Sequence, residues 1–443
     1  MQLHSIPFLF YFLPCMLAVY YIVPRSWRSG VLTLGSLVFY WIVSSYQWWS
    51  LALLVVLTVS GYFFGLILSR YRRTWVFVMA LVIPAGTLVF FKYYNGCRLL
   101  PVGLSFYVFQ ILAYLIDVYR ERLPAERGLL SFGAQTVMFP KLLSGPLMNP
   151  KKLQDQEKRT RCSKHNFHMG LQELILGLSL KVLLADRVGG LWAQAGVIGY
   201  ESITTPFAWM ALVAYAMRLY FDFYGYSLMA IGLGHMLGYN LPMNFLDPYC
   251  ACSVSEFYRR WHATLGAWFR EYIYIPLGGN RKGLLRTICN LAVVWLLTGI
   301  WHGTTAGYLV WAGFLFLLIV NERLWLGRLL KHCGIFAHVY TVIMILLSWV
   351  PFAIGSGEEM AIFFSRLFSI SAGISGSRDY LTWGGDYTIL LAVGVVLATP
   401  LPRLVWRKIR KSWFTDCLLF ILFWAAFYCI ATAAQDPFLY FQY

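Results

Sequence analysis

Charge is scarce in this chain: only 12% of its 443 residues are Asp, Glu, Lys or Arg, against 59% hydrophobic. That shortage rules out a water-facing surface along most of the sequence, and with it a soluble domain of useful size. Acidic residues are scarcest, 19 against 36 Lys and Arg, which leaves a formal net charge of +17. The nine cysteines (Cys15, Cys97, Cys162, Cys250, Cys252, Cys289, Cys333, Cys417, Cys429) are an odd set with no CxxC pair. Neither a disulfide framework nor a zinc site is expected, and they read as packing residues. The first apolar stretch, "SIPFLFYFLPCMLAVYYIVP", lacks the basic flank and small-residue cleavage site of a signal peptide and reads as a retained span.

What the sequence has in excess is apolar runs near or above the roughly 20 residues that cross a bilayer, so the fold class is an all-α polytopic membrane protein. Spans are expected near residues 5–24, 30–45, 47–69, 75–91, 101–118, 170–186, 206–224, 338–356, 384–402 and 413–433. Basic residues follow the first span (Arg25, Arg28), the third (Arg70, Arg72, Arg73) and the fifth (Arg120, Arg122), and precede the last (Arg403, Arg407, Lys408, Arg410, Lys411). By the positive-inside rule these loops are cytoplasmic, both termini face out, residues 250–290 lie inside, and residues 357–383, with Glu358, Glu359 and Asp379, lie outside. Lys92 and Arg98 run mildly against that parity. The positive excess reports orientation and contact with anionic lipid; an anionic donor such as an acyl-CoA would draw on it too, and nucleic acid is a poor account of it.

Two regions do not read as simple spans. Residues 131–150, "SFGAQTVMFPKLLSGPLMNP", are interrupted by Pro140, Gly145 and Pro146, which predicts a re-entrant or interfacial pair of short helices. From Leu291 to Val320 no residue carries a formal charge, yet the centre "GIWHGTTAG" holds Gly299, Gly303 and Gly307 and leaves halves of only 11 to 13 residues. That pattern predicts a broken helix with His302 at a buried break.

The densest charge lies in "EFYRRWHATLGAWFREYIYIPLGGNR", residues 256–281. Ser253 with Glu256 three positions on forms a capping box, opening a helix of about 20 residues that ends before Pro276. On a helical period His262 shares a face with Tyr258, Leu265 and Phe269, while Arg260, Thr264 and Glu271 lie elsewhere, so the histidine points inward. Two readings stay open: an interfacial amphipathic helix whose histidine hydrogen-bonds in the core, and a helix lining a cytoplasmic funnel. "IPLGGNRKG" follows, where glycines beside Asn280, Arg281 and Lys282 could form a backbone nest for phosphate, though a plain turn accounts for them better. His302 could take a proton from a hydroxyl and return it to a leaving group, or simply donate to a backbone carbonyl. Asp222, in "RLYFDFYGYS", could pair with Arg218 or orient an active-site group. Ser105 and Gln110, within "LPVGLSFYVFQILAYLIDVYR", read as polar glue between helices.

Six ordered stretches together resemble the membrane-bound O-acyltransferase family, and within it the bacterial alginate O-acetylase branch: "LPVGLSFYVFQILAYLIDVYR", "MFPKLLSGPL", "YFDFYGYSLMAIGLGHMLGYNLPMNF", "EFYRRWHATLGAWFREYIYIPLGGNRKG", "TGIWHGTTAGYLVWAGF" and "FLYFQY". The resemblance implies about eleven transmembrane helices with re-entrant and interfacial segments around a central tunnel, as one integral domain over 1–443. Within it, helices of 1–90 precede a motif-bearing core of 91–325 and C-terminal helices of 326–443. The family's two active-site histidines fall on His262, in "RRWH", and His302, in "WHG", the second being the presumed base; Asp222, Gln110, Arg260, Trp301 and Asn244, in the same motifs, are candidate substrate contacts. Further implications are a bacterial cytoplasmic-membrane location, an acetyl-CoA or other acyl thioester as donor with no resident cofactor or metal, and acceptors outside. Members often work through a separate extracytoplasmic acyltransferase with a serine nucleophile. Three positions depart from the family pattern: Leu228 stands where aspartate is common, Tyr224 where serine is usual, and "WVPFAI" where "WVFFRA" occurs. Relatives that move D-alanine onto teichoic acid share "RRWH" and "FDF" but usually lack "IPLGGNR", so this stretch favours the acetylase branch.

The leading reading is therefore transfer of an acyl group, acetyl above others, from a cytosolic thioester toward an extracytoplasmic polysaccharide. His302 acts as general base and His262 positions or polarises the carbonyl, and direct transfer is simpler than an acyl-enzyme because no cysteine or serine stands out. The alternatives are D-alanyl transfer to teichoic acid and, in another class, a transporter or channel with a path through Asp222, His262 and His302; the paired repeats common in transporters are not found.

Overall fold

The computed structural model describes residues 1–94, 100–159, 162–369 and 378–432. Cys97, Arg98 and the terminal "FLYFQY" lie outside them. Every regular element among the described residues is helical, as a bilayer requires of a chain that must satisfy its own backbone groups. Packing divides the protein into two compact units, the first built from Met1–Leu178 and Tyr226–Met243, the second from Ser179–Gly225 and Asn244–Cys429.

The first unit opens with α1 (Leu13–Ile22), α2 (Arg28–Val43), α3 (Trp48–Tyr71), α4 (Thr74–Tyr93) and α5 (Leu104–Tyr119). Short helices follow: α6 (Leu129–Val137), α7 (Phe139–Leu142) and α8 (Pro150–Arg159), then α9 (Lys164–Ser179). α6 and α7 are the pair expected across 131–150, at 9 and 4 residues too short to cross. They are buried and pinned to α2: Thr33 donates to the Leu130 carbonyl (2.7 Å) and the Phe139 N–H donates to Ser36 Oγ (2.9 Å). Lys141 is buried with them, its Nζ donating to the Gln135 carbonyl.

α9 continues through a π-helical turn, Leu180–Ala185, into α10 (Asp186–Ile198) of the second unit. α11 (Thr205–Leu237) is 33 residues long, well past the expected 206–224. The second unit then holds α12 (Val254–Arg260), α13 (Ala263–Phe269), α14 (Gly283–His302), α15 (Ala306–Asn321), α16 (Gly327–Leu330), α17 (Ile335–Ala353), α18 (Gly357–Phe368), α19 (Asp379–Thr382), α20 (Thr388–Leu397), α21 (Leu401–Ile409) and α22 (Trp413–Thr432).

Three expectations are corrected. The charge-free region 291–320 is not a broken helix of two short halves: α14 has 20 residues, and α15 runs on through a π turn and α16 to Leu330, 25 residues in all, so each is long enough to cross. The charge-free window had hidden this because Arg286 lies inside α14 and Glu322 inside the continuation of α15. The expected helix of about 20 residues after Ser253 is two short helices broken at Trp261 and His262, followed by a π turn, Arg270–Tyr274. The expected span 384–402 is bent by 72° between 397 and 401, where α20 gives way to α21 and Pro400 and Pro402 cannot continue a helix. Among the described residues six helices, or seven with that bent pair, suffice by length and composition to cross a membrane; α5, at 16 residues, falls short of that length.

Candidate active site

His262 sits at the break between α12 and α13, and its backbone is left-handed (φ 44°, ψ 49°). That region costs a residue with a Cβ roughly 1–2 kcal/mol, so something must hold it there. The holder is the loop at Asn244: the Ala263 N–H donates to the Asn244 carbonyl (2.8 Å) and the Leu246 N–H donates to the Arg260 carbonyl (3.1 Å). Asn244, fully buried, also faces the imidazole, with Oδ1 3.3 Å from His262 Nδ1 and accepting from Thr264 Oγ1 at 2.6 Å. Thr264 is therefore buried in this cluster, on the inward side with Leu265 and Phe269 and not on the outer side its spacing had suggested. Phe223 meets the imidazole edge-on at 4.8 Å. Burial pushes the ring from its ordinary 6.5 down to about 3, because desolvation penalises the charged imidazolium. A neutral imidazole that donates from Nδ1 to an amide oxygen carries its lone pair on Nε2.

His302 is the last residue of α14. Its ring lies among Trp301 (4.6 Å between centroids), Trp311 (4.9 Å), Phe352 (5.1 Å) and Tyr308 (6.0 Å). Three helices supply these walls, and a close approach makes them meet: a Cβ on Gly307 would lie 2.4 Å from the Pro351 carbonyl oxygen, so only glycine lets α15 seat here on α17. Trp301 connects the two histidines, its ring 6.5 Å from His262 and 4.6 Å from His302. The π turn after α13 packs on α14, and Asn290, in the first half of α14, donates to the Gly279 carbonyl at 2.9 Å.

The charged candidates are held by neighbours. Asp222 is buried against Lys181, whose Nζ is 2.9 Å from Asp222 Oδ1 and 2.5 Å from Asp186 Oδ1. The side chain of Arg218 packs over Gly189. Lys181 was not foreseen because a lysine at the end of an apolar run reads as a headgroup anchor; the π turn that carries it is invisible in composition. Arg260 pairs with Glu256 and donates to the Asp247 carbonyl at 3.4 Å, and Asp247 binds Arg403 at 2.6 Å. Gln110 belongs to the first unit, where it donates to the Met148 carbonyl at 3.2 Å. In "IPLGGNRKG" the amides of Gly278, Gly279 and Arg281 all donate to carbonyls, of Ile275, Tyr274 and Gly278. With those donors engaged the loop is a turn rather than a phosphate nest, and Gly278 and Gly279 serve it by their positive φ. The aromatic walls Trp311, Tyr308 and Phe352 were also missed as site residues, although "YLVWAGF" and "WVPFAI" contain them.

Two imidazoles in one aromatic shell, one of them kept neutral by burial, are suited to accepting and returning a proton. Comparison with known proteins gives the family. Residues 36–350 match the membrane-bound O-acyltransferase family. The chain is 32% identical over 487 aligned positions to a probable alginate O-acetylase of Pseudomonas putida, covering 98% of this chain and 99% of that protein. It is 32% identical to a peptidoglycan O-acetyltransferase of Helicobacter pylori, over 69% of this chain and 67% of the relative. A teichoic acid D-alanyltransferase of Lacticaseibacillus rhamnosus is more distant, 27% identical over 55% of this chain and 64% of its own length. The chain thus belongs to the membrane-bound O-acyltransferase family, and is an enzyme of O-acyl transfer embedded in a membrane through its apolar helices.

Proposed function

We propose that this enzyme moves an acetyl group from acetyl-CoA, or an equivalent cytosolic thioester, across the bacterial cytoplasmic membrane for O-acetylation of an extracytoplasmic polysaccharide. The observation that carries the reading is the pairing of His262 and His302 through Trp301 inside an aromatic shell. The near full-length likeness to a protein named as an alginate O-acetylase supports acetyl and polysaccharide. The basic end of α14, with Arg281, Lys282 and Arg286, marks the cytoplasmic side by the positive-inside rule. His302 lies at the other end of that helix, about 30 Å away at 1.5 Å per residue, which suits delivery toward the outside.

In the proposed reaction a hydroxyl loses its proton to a ring nitrogen of His302 as its oxygen bonds to the thioester carbonyl carbon. The carbon–sulfur bond then breaks, and the thiolate takes the proton back from His302, giving an ester and a thiol. His262, neutral and donating from Nδ1 to Asn244, offers a lone pair at Nε2; it orients the incoming hydroxyl, a role its tautomer suits better than polarising the carbonyl. Asn244 fixes that tautomer, Trp301 walls the acyl group, and Asp222 and Arg260 support the walls through Lys181 and Glu256. The acceptor is either the polysaccharide itself or the serine of a separate extracytoplasmic acyltransferase.

Inverted membrane vesicles given labelled acetyl-CoA, with and without proteins encoded beside this one, test the reading. Transfer of label that vanishes in His302→Ala is expected, and transfer at the wild-type rate by that variant would overturn the mechanism. The likeness to the D-alanyltransferase keeps one other donor in view, a D-alanyl thioester. Transfer of D-alanine in the absence of acetyl transfer would replace the acetyl reading.

A further inference from the structure

We propose that Glu322 is a positioning residue for acyl transfer, setting the place of His262 relative to His302 from the far end of α15. The proposal rests on the reading of those two histidines as the reacting centre. Glu322 is buried at the start of the π turn Glu322–Leu326, and its carboxylate is fully directed at α12. It accepts from the Val254 N–H at 2.6 Å, the Ser255 N–H at 2.9 Å and the Ser255 hydroxyl at 2.6 Å. Ser253 Oγ accepts from the Glu256 N–H at 3.0 Å. The first turn of α12 thus has each of these amide donors matched, two by a residue 67 or 68 positions away. A carboxylate is also the favoured partner of a helix N-terminus, where the peptide dipoles converge positively.

The geometry gives this clamp its functional meaning. α12 ends at Arg260, two residues before His262, so a slide or rotation of its start is passed on to the imidazole. α12 lies along α15 and runs back toward the His302 end: Val254 is held at Glu322, while Tyr258 lies 6.3 Å ring to ring from Trp311, which itself walls His302. His302, α15, Glu322, α12 and His262 form a single path in which each histidine is a few residues from a helix end. The opposite end of α12 is fixed independently by the Asn244 loop, so Glu322 governs the approach and Asn244 the orientation. Glu322 is the first residue of the π turn that carries α15 on into α16.

The test uses full-length protein in lipid nanodiscs, comparing wild type, Glu322→Gln and Glu322→Ala. Gln keeps one accepting oxygen and loses the other, so it separates loss of charge and one bond from loss of the whole clamp. Hydrogen exchange at residues 254–263 is expected to quicken about tenfold or more in Glu322→Ala and less in Glu322→Gln, with 290–301 unchanged. Carbethoxylation of His262 by diethylpyrocarbonate, read by peptide mass, is expected to quicken in the same order. In acetyl transfer, kcat is expected to fall about tenfold or more for Ala, and less for Gln, with donor KM within about twofold, as misplacement of a reacting group lowers turnover more than binding. Unchanged exchange in Glu322→Ala overturns the clamp whether or not the wild type transfers acetyl. Quickened exchange with wild-type kcat overturns the positioning role. If the wild type transfers no acyl group, the acetyl reading fails by itself, and His262 carbethoxylation still decides the clamp: a rate equal to wild type sinks it. Should Glu322→Ala fail to fold, the Gln variant is read by the same criteria.

Discussion

At the scale of single residues the site divides into groups that react and groups that hold them. His302→Ala is expected to lower acetyl transfer by about 100-fold or more, the range over which general bases contribute, measured with labelled donor on inverted vesicles. Asn244→Ala should lower kcat by about tenfold while donor KM stays close to wild type, since Asn244 sets the tautomer and placement of His262 without reaching the thioester. The buried imidazole at 262 also has a consequence for pH. Its folded value is depressed from 6.5 to about 3, so above about 6.5 it is neutral in both folded and unfolded states and contributes nothing to pH dependence. Below that the unfolded chain binds a proton that the folded chain refuses, and stability falls as the pH drops from 6.5 toward 3. Thermal melts of wild type and His262→Gln should converge with rising pH in their acid sensitivity, and equal acid sensitivity below pH 6 would contradict the assignment.

At the scale of elements, the packing of α15 on α17 and the buried ion pairs are where substitutions should cost stability. Gly307→Ala places a methyl 2.4 Å from the Pro351 carbonyl oxygen and is expected to destabilise by about 1–3 kcal/mol, read as a lowered melting temperature in detergent. Lys181→Ala removes a buried cation that lies 2.9 Å from Asp222 Oδ1, a change of up to about 3–5 kcal/mol; Lys181→Met combined with Asp222→Leu should recover much of that loss. Much at this level was legible: Ser253 caps the helix by accepting from the Glu256 N–H as expected, while the Glu256 carboxylate reaches back to the Cys252 N–H, and the prolines and glycine of 131–150 do yield short buried helices. The break at His262 was not legible, because "RRWHATLG" contains neither glycine nor proline at the bend and the bend is imposed by hydrogen bonds to Asn244, eighteen residues earlier. The length of α14 and α15 was hidden for the opposite reason: charges were taken as boundaries, although Arg286 can keep its head near the helix end and Glu322 is absorbed by α12.

At the scale of the whole molecule, fold class and family were legible because several spaced motifs and the apolar runs carry them, whereas the number and path of crossings were not. If α14 and α15 each cross, the loops on either side of 283–330 share one face, and this change alone leaves the expectation for 250–290 and 357–383 as it was. Single cysteines at Lys282 and Glu358, in an otherwise cysteine-free protein, should react with a membrane-impermeant maleimide from the cytoplasmic and the outer side respectively; labelling of both from one side would overturn this arrangement, and the exchanged pattern would reverse the proposed delivery direction. The left-handed turn at residue 262 decides how such an enzyme is best emptied of one imidazole. Alanine there removes the ring but must keep a Cβ in a conformation that disfavours it, whereas glycine takes that conformation without steric penalty. His262→Gly is therefore the variant that subtracts chemistry while keeping the chain path, and free imidazole in solution becomes a fair replacement for the missing side chain.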